Sequence, residues 1–221
     1  ENTKTVSFGS SASLEDIKSI REKKFPALYN MLVVFGSKQI RHLATLGGNL
    51  GSASPIGDMI PVLMAYGATI VVESVAGKRK IPSINFITGY RKTQRKPDEI
   101  ITSVIIPKLK KGIIVKSYKV SKRKDLDIST VSGGFMLHLD KNNSVADIRL
   151  VYGGMAAITK RASLAENYLK QKTWEKKTVL QAMNLIDKEF MPISDARSGA
   201  EGRKIMARNL LLKFWTDTVD Q

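Results

Sequence analysis

Between residues 44 and 58 the chain reads A-T-L-G-G-N-L-G-S-A-S-P-I-G-D, a run of glycines, small hydroxyl residues and a single carboxylate, Asp58. Glycine gives up side-chain packing and costs conformational entropy on ordering. A cluster of it therefore implies unusual dihedrals or the close approach of a ligand, a cofactor or a neighbouring strand. The stretch reads as a loop of that kind. Asp58 has two chemical readings, as the first residue of a following helix or as an acceptor for a ligand's hydroxyls, and pattern alone leaves both open. Upstream, Phe35 ends an apolar helical stripe and reads as a core residue before it reads as a cofactor contact. Arg41 and His42 stand just before the glycines, where a lone histidine reads as structural or solvent-facing. Gly89, Tyr90, Arg91 and Lys92 form a polar corner farther on.

Composition bounds the chemistry. The 221 residues are 43% hydrophobic and 25% charged, which suits a folded chain with one substantial core or two smaller ones. With no cysteine, this chain can hold no disulfide, no thiolate zinc site and no iron-sulfur cluster of its own. No apolar run approaches membrane-spanning length and no basic-then-apolar leader opens the chain, so the expected location is cytoplasmic, without membrane contact. The formal charge of +16 would serve nucleic acid, an acidic protein, an anionic surface or an anionic cofactor. Aromatics amount to only 7%, with no row of them to stack bases, so nucleic acid is not expected as a partner. Lys108, Lys110, Lys111, Lys116, Lys119, Lys122, Arg123 and Lys124 crowd one stretch. Ile113, Ile114, Val115, Tyr118 and Val120 run among them, which predicts a strand with one wet face.

These residues need elements to hold them. Residues 5–9 predict a strand, and Ser13 followed by Asp16 predicts the capped start of a helix to about Arg21. Pro26 opens a second helix whose buried face carries Leu28, Met31, Leu32 and Phe35 at the i, i+3, i+4, i+7 spacing. A short helix follows Asp58 and ends near Gly67. Residues 68–73 and 78–81 read as a hairpin about Ala76 and Gly77, and residues 99–106 as a β-branched strand closed by Pro107. In the second half, Val131, Phe135, Leu137 and Leu139 alternate on one strand and Ala146, Ile148, Leu150 and Tyr152 on its return. Helices at about 161–169 and 174–190 follow, the longer one lined by Val179, Met183, Ile186 and Phe190. A last helix from about Ser198 presents Ala207, Leu210, Leu211 and Phe214. Strands followed by helices predict an α+β architecture.

The stretch R-H-L-A-T-L-G-G-N-L-G-S-A-S-P-I-G-D at 41–58 closely resembles the FAD-binding domain or subunit of the molybdenum hydroxylases, the xanthine dehydrogenases in particular. So do G-Y-R-K-T at 89–93, P-D-E-I-I at 97–101, K-R-K-D-L-D-I-S at 122–129, Y-G-G-M at 152–155 and N-L-L-L-K-F at 209–214. The resemblance implies a fold class: α+β, the second lobe of a vanillyl-alcohol-oxidase/PCMH-type FAD-binding domain over residues 1–107. A C-terminal α+β domain of the carbon monoxide dehydrogenase flavoprotein type would occupy residues 113–221. It also implies site residues. Ala44, Thr45, Gly47, Gly48 and Asn49 match the segment that holds the dinucleotide portion of FAD through backbone amides and small side chains. Asp58 matches a carboxylate on the ribose side, Phe35 an aromatic beside the flavin ring, and Ile101 and Lys119 further FAD contacts. Tyr90 and Arg91, with Asp125 and Asp127 in the 125–128 loop, match the region that shapes access of NAD.

In such enzymes a molybdenum centre hydroxylates the substrate, electrons pass through iron-sulfur clusters, and the flavin delivers them to NAD or oxygen. The resemblance thus implies FAD here, with no catalytic side chain and no metal on this chain. The molybdenum cofactor and iron-sulfur clusters would sit on a partner iron-sulfur domain and molybdenum-binding subunit. Lys119 would favour the anionic reduced flavin. The resemblance also admits a flavin subunit of a carbon monoxide or aldehyde dehydrogenase relative, and a basic interaction module that has lost FAD. Two departures stand out. The family's glycine-rich pyrophosphate loop belongs to an N-terminal lobe that does not precede Glu1, so the expectation is a partial FAD domain with a weakened hold on the cofactor. Gly202 stands where the family commonly has tyrosine, at a cost of about 1 kcal/mol for glycine within a helix.

Overall fold

The computed structural model describes residues 2–21, 24–124 and 126–219. The first half contains β1 (Thr5–Gly9), α1 (Leu14–Arg21), α2 (Pro26–Val33), α3 (Lys38–Leu43), α4 (Leu46–Gly51), α5 (Met59–Tyr66), β2 (Thr69–Ser74), β3 (Gly77–Pro82), α6 (Ser83–Phe86), β4 (Ile87–Gly89), β5 (Lys92–Thr93) and β6 (Ile100–Pro107). The second contains β7 (Ile113–Val120), β8 (Val131–Leu139), β9 (Val145–Gly153), β10 (Lys160–Arg161), α7 (Ser163–Leu169), α8 (Lys176–Glu189) and α9 (Ala200–Thr216). Two antiparallel four-stranded sheets result, in the orders β1-β6-β2-β3 and β10-β9-β8-β7, with β4 and β5 as a small separate hairpin.

The β7–β9 sheet is covered on both faces. Phe135, Leu137, Ile148 and Leu150 join the core beneath α7, α8 and α9. Val115, Met136 and Val151 point the other way, into the core built on α2 and α5. This explains why β8 is buried at seven successive positions rather than alternating with solvent. The approach of α5 is close enough to select glycine: a Cβ at Gly134 would lie 2.2 Å from the Pro61 carbonyl oxygen. α5 itself is buried at every position, and Gly67 ends it at φ +70°, donating its N–H to the Met64 carbonyl.

The structure corrects four local expectations. Residues 46–51 of the glycine-rich stretch form the short helix α4, capped by Thr45, instead of an open loop. Phe35 lies past the end of α2 in the turn leading to α3, half-buried, and shares no helical face with Leu28, Met31 and Leu32. Ala146 is exposed and Val145 is buried in its place, because a bulge at His138/Leu139 shifts the register and pairs Leu139 with Val145. Lys119 is not on a wet face; its side chain is buried. Gly202 lies inside α9, where a Cβ would meet the Ser198 hydroxyl at 2.7 Å. No helix among the described residues is long and apolar enough to cross a membrane.

Candidate functional site

Thr45, Gly47, Gly48 and Ile101, brought from α4 and β6, line one cleft of about 380 Å³. Ser10 and Ser11, from the turn after β1, complete one wall, and Arg95, Glu99 and Ile100 complete the other. The cleft exists because β1 pairs with β6 and the Ser10 amide donates to the Thr102 carbonyl at 2.9 Å, which fixes the serine turn beside the glycines. Gly47 is required by this packing: a Cβ there would lie 2.6 Å from the Ser10 Cβ. Gly48 faces outward, with only the Thr45 hydroxyl within reach of an added Cβ.

The glycines do not offer a row of free amides. Gly47 donates to the Ser10 carbonyl at 2.8 Å, Gly48 to the Thr45 hydroxyl at 3.0 Å and Asn49 to the Thr45 carbonyl at 3.0 Å. Their contribution to a ligand is therefore a bare floor on which it can lie close to the backbone. Asn49 is not in the cleft's lining; its side-chain oxygen is buried and has no partner among the described residues. Ala44 is half-buried against the core built on α2 and α5, and its carbonyl accepts from the Leu14 amide.

Asp58 and Lys119, read separately in the sequence, meet. The Lys119 Nζ lies 2.9 Å from Asp58 Oδ2, with both side chains about nineteen-twentieths buried (6% and 5% exposed). Ser129 donates to Asp58 Oδ1 at 2.5 Å. Asp58 precedes the first turn of α5 but makes no side-chain cap there, since both its oxygens are engaged by groups from the second half of the chain. The pair presents a dipole in place of the lone cation expected at Lys119.

Phe35 is held by a residue that pattern reading passed over. Arg41, 6% exposed, donates to the Phe35 and Gly36 carbonyls at 3.0 and 2.8 Å and to Glu15 at 2.5 Å. That hydrogen bond with Arg41 holds the Glu15 carboxyl below its ordinary range. A cation immediately ahead of the glycine run was the available signal. Glu99, buried in the first cleft's wall, accepts two bonds from Arg79 and one from the Lys96 amide, and these push its pKa down to about 2.

A second cavity, of about 370 Å³, holds Tyr90 and Arg91. They form the turn between β4 and β5, with Arg91 at φ +52° and its guanidinium 5.8 Å from the Tyr90 ring centre. Across from them lie Met191, Ile193, Arg197 and Arg203. Arg203 is 2% exposed; it donates to the Thr130 and Gly154 carbonyls and to Asp195, and its Nε is buried without a partner among the described residues. Burial acts to raise the Asp195 pKa, but hydrogen bonds from the Arg197 and Ser198 amides and the Arg203 side chain outweigh it and bring it to about 2. Asp127 is not in this cavity's lining; it accepts from the Arg123 and Ile128 amides in its own loop, and these lower its pKa. Asp125 lies outside the described residues. Arg197 sits in a segment whose sequence, rich in serine, glycine and charge, carried no periodicity to mark it, whereas Arg203 falls on the buried stripe of α9 one turn ahead of Ala207, a spacing that could have found it.

Residues 1–109 match the family described as the FAD binding domain in molybdopterin dehydrogenase, and residues 116–218 match the CO dehydrogenase flavoprotein C-terminal domain. Among similar proteins, the xanthine dehydrogenase of Emericella nidulans is 35% identical over 98% of this chain, and the nicotinate hydroxylase of the same organism is 34% identical over 97%. The chain spans 17% of the length of each. In fold it is similar to a chain of the carbon monoxide dehydrogenase of Hydrogenophaga pseudoflava, with a TM-score of 0.91 at 23% identity over 96% of this chain and 74% of that one. The order of the two family matches follows the two sheets, and the first contains the cleft floored by Gly47 and Gly48. The chain belongs to the FAD-binding flavoprotein family of the molybdopterin dehydrogenases.

Proposed function

We propose that this chain binds FAD and serves as the flavin-bearing part of a molybdenum hydroxylase, receiving electrons from iron-sulfur clusters on a partner domain and passing them to NAD or oxygen. The observation that carries this reading is the convergence of Thr45, Gly47, Gly48 and Ile101 on one cleft. The residues present fit the cofactor: a bare glycine floor, three hydroxyls and an apolar shelf of Ile100 and Ile101 suit a nucleotide rich in oxygen and ring surface. FAD supplies two-electron redox chemistry when bound. The tasks of the chain itself are to bind and orient it, with Phe35 fixed by Arg41 and Lys119 fixed by Asp58. FAD-dependent yellow colour and a visible flavin absorption band in the complete protein, lost on Gly48→Trp, test the reading; a folded, complete protein with no flavin would overturn it.

The oxidised substrate is not written in this chain. Relatives named for xanthine and for nicotinate are similar to it to within one per cent identity. Substrate selection accordingly belongs to the molybdenum subunit. For the acceptor, the second cavity supports NAD: Tyr90 offers a ring and Arg91 a positive charge for phosphate, while Arg197 and Arg203 are paired with Asp195 in the same lining. Tyr90→Ala is expected to raise KM for NAD severalfold while leaving bound FAD in place. Unchanged NAD kinetics would assign that cavity no part in acceptor binding.

A further inference from the structure

The first cleft contains a cation that the reading of its glycines does not use. Arg95 lies in the connection between β5 and β6 and lines the same cleft as Gly47 and Gly48. Its Nη1 donates to the carbonyls of Glu99 at 2.6 Å and Lys96 at 3.3 Å, which pins the guanidinium to the backbone. Its Nε and Nη2 have no hydrogen-bond partner among the described residues. The one acid in the lining among the described residues, Glu99, is not its counter-ion, since Arg79 takes both Glu99 oxygens at 2.6 and 2.8 Å. Arg79 and Glu99 cancel, and the cleft keeps the positive charge of Arg95.

The remaining lining defines what that charge can meet. Ser10, Ser11 and Thr45 contribute hydroxyls, while Ile100, 65% exposed, and Ile101 form an apolar shelf. A fixed guanidinium beside hydroxyls, a bare floor and an apolar shelf suits an anionic group joined to a ring system. A guanidinium binds phosphate oxygens with paired, directional donors. We infer that Arg95 holds the phosphate charge of the adenosine diphosphate half of FAD, as a binding residue of this cleft. The inference rests on the FAD reading above.

The test uses the complete protein freed of flavin and titrated with FAD, ADP and riboflavin at low and high salt. Arg95→Leu is expected to weaken FAD and ADP about tenfold at low salt, the scale of one charge-assisted hydrogen bond. The difference should shrink at high salt because the cleft is open to screening. Arg95→Lys should recover part of the loss, and riboflavin, which has no phosphate, should bind both variants as it binds the parent. Unchanged FAD and ADP affinities in Arg95→Leu overturn the inference and leave the FAD reading standing. An equal loss of riboflavin, unrelieved by lysine, also overturns it, because phosphate would then not be what Arg95 reads. A parent that takes ADP through Arg95 but no FAD supports the inference in its phosphate-binding part and removes the FAD reading.

Discussion

Asp58 and Lys119 show how one buried contact ties the two halves of the chain together. Removing either partner leaves a charge buried to about nineteen-twentieths, and breaking such a pair costs roughly 3 kcal/mol or more. Asp58→Asn and Lys119→Met should each lower the denaturation free energy by about that amount, and the double variant by less than their sum. Denaturant titration of the three proteins checks this, and additive losses would mean that the two side chains act separately. Glu99 gives a second expectation, in pH. Its pKa falls from an ordinary 4.5 to about 2 on folding, first through the Arg79 hydrogen bond. The folded state therefore binds its proton less readily than the unfolded chain. The stabilisation is complete above about pH 4.5 and drains away as pH falls towards about 2. Glu99→Gln should flatten the stability profile across that window and leave its slope above it unchanged, as followed by thermal melts at stepped pH.

At the scale of elements, the contact of α5 with β8 decides where the two halves of the chain meet. Gly134→Ala would place a methyl 2.2 Å from the Pro61 carbonyl, so α5 must move or the strand must bend. A loss of about 3 kcal/mol is expected from such overpacking. Because Asp58 immediately precedes α5 and Lys119 lies on β7, the same change should also weaken FAD retention, and native-like flavin content would show that the helix moves without its N-terminal end. The helices and strands around this contact were legible from periodicity: β2 and β3 about their glycine turn, α5 with Gly67 at its end, and the buried stripe of α9. What pattern could not supply was the second face of β8. Alternation predicts one buried side, whereas Met136 and Gly134 are covered by a helix some seventy residues earlier in the chain, which no local period records. The glycine run misled for a related reason. Its glycines answer to Ser10, a tertiary neighbour, and once that neighbour is satisfied the backbone closes into α4. That Thr45 and Ile101 would share one cleft was suggested only by family resemblance; the placements of Arg41 and Arg95 depend on distances that sequence does not carry.

At the scale of the whole molecule, the β7–β9 sheet is shared between two cores. Val115, Met136 and Val151 belong to one and Phe135, Leu137 and Ile148 to the other, so neither core can lose the sheet without exposing apolar surface of its neighbour. The two family matches meet between residues 109 and 116, but the packing does not divide there, since α2 and α5 from the first half cover the sheet of the second. This coupling has a measurable consequence. Both tryptophans, Trp174 and Trp215, belong to the second half; Trp174 is buried against Phe214, and its Nε1 donates to Thr218. Leu63 is fully buried in the other core, on α5. Leu63→Ala should cost about 3 kcal/mol as a cavity in the first core, yet shift the tryptophan fluorescence midpoint in denaturant as far as it shifts the far-ultraviolet circular dichroism midpoint. Coincident shifts follow if the shared sheet makes unfolding a single transition. A fluorescence midpoint left in place while the circular dichroism curve splits would mean that the sheet stays folded on its α7–α9 side after α5 has left it, and that the cleft floored by Gly47 and Gly48 can open without unfolding the rest of the chain.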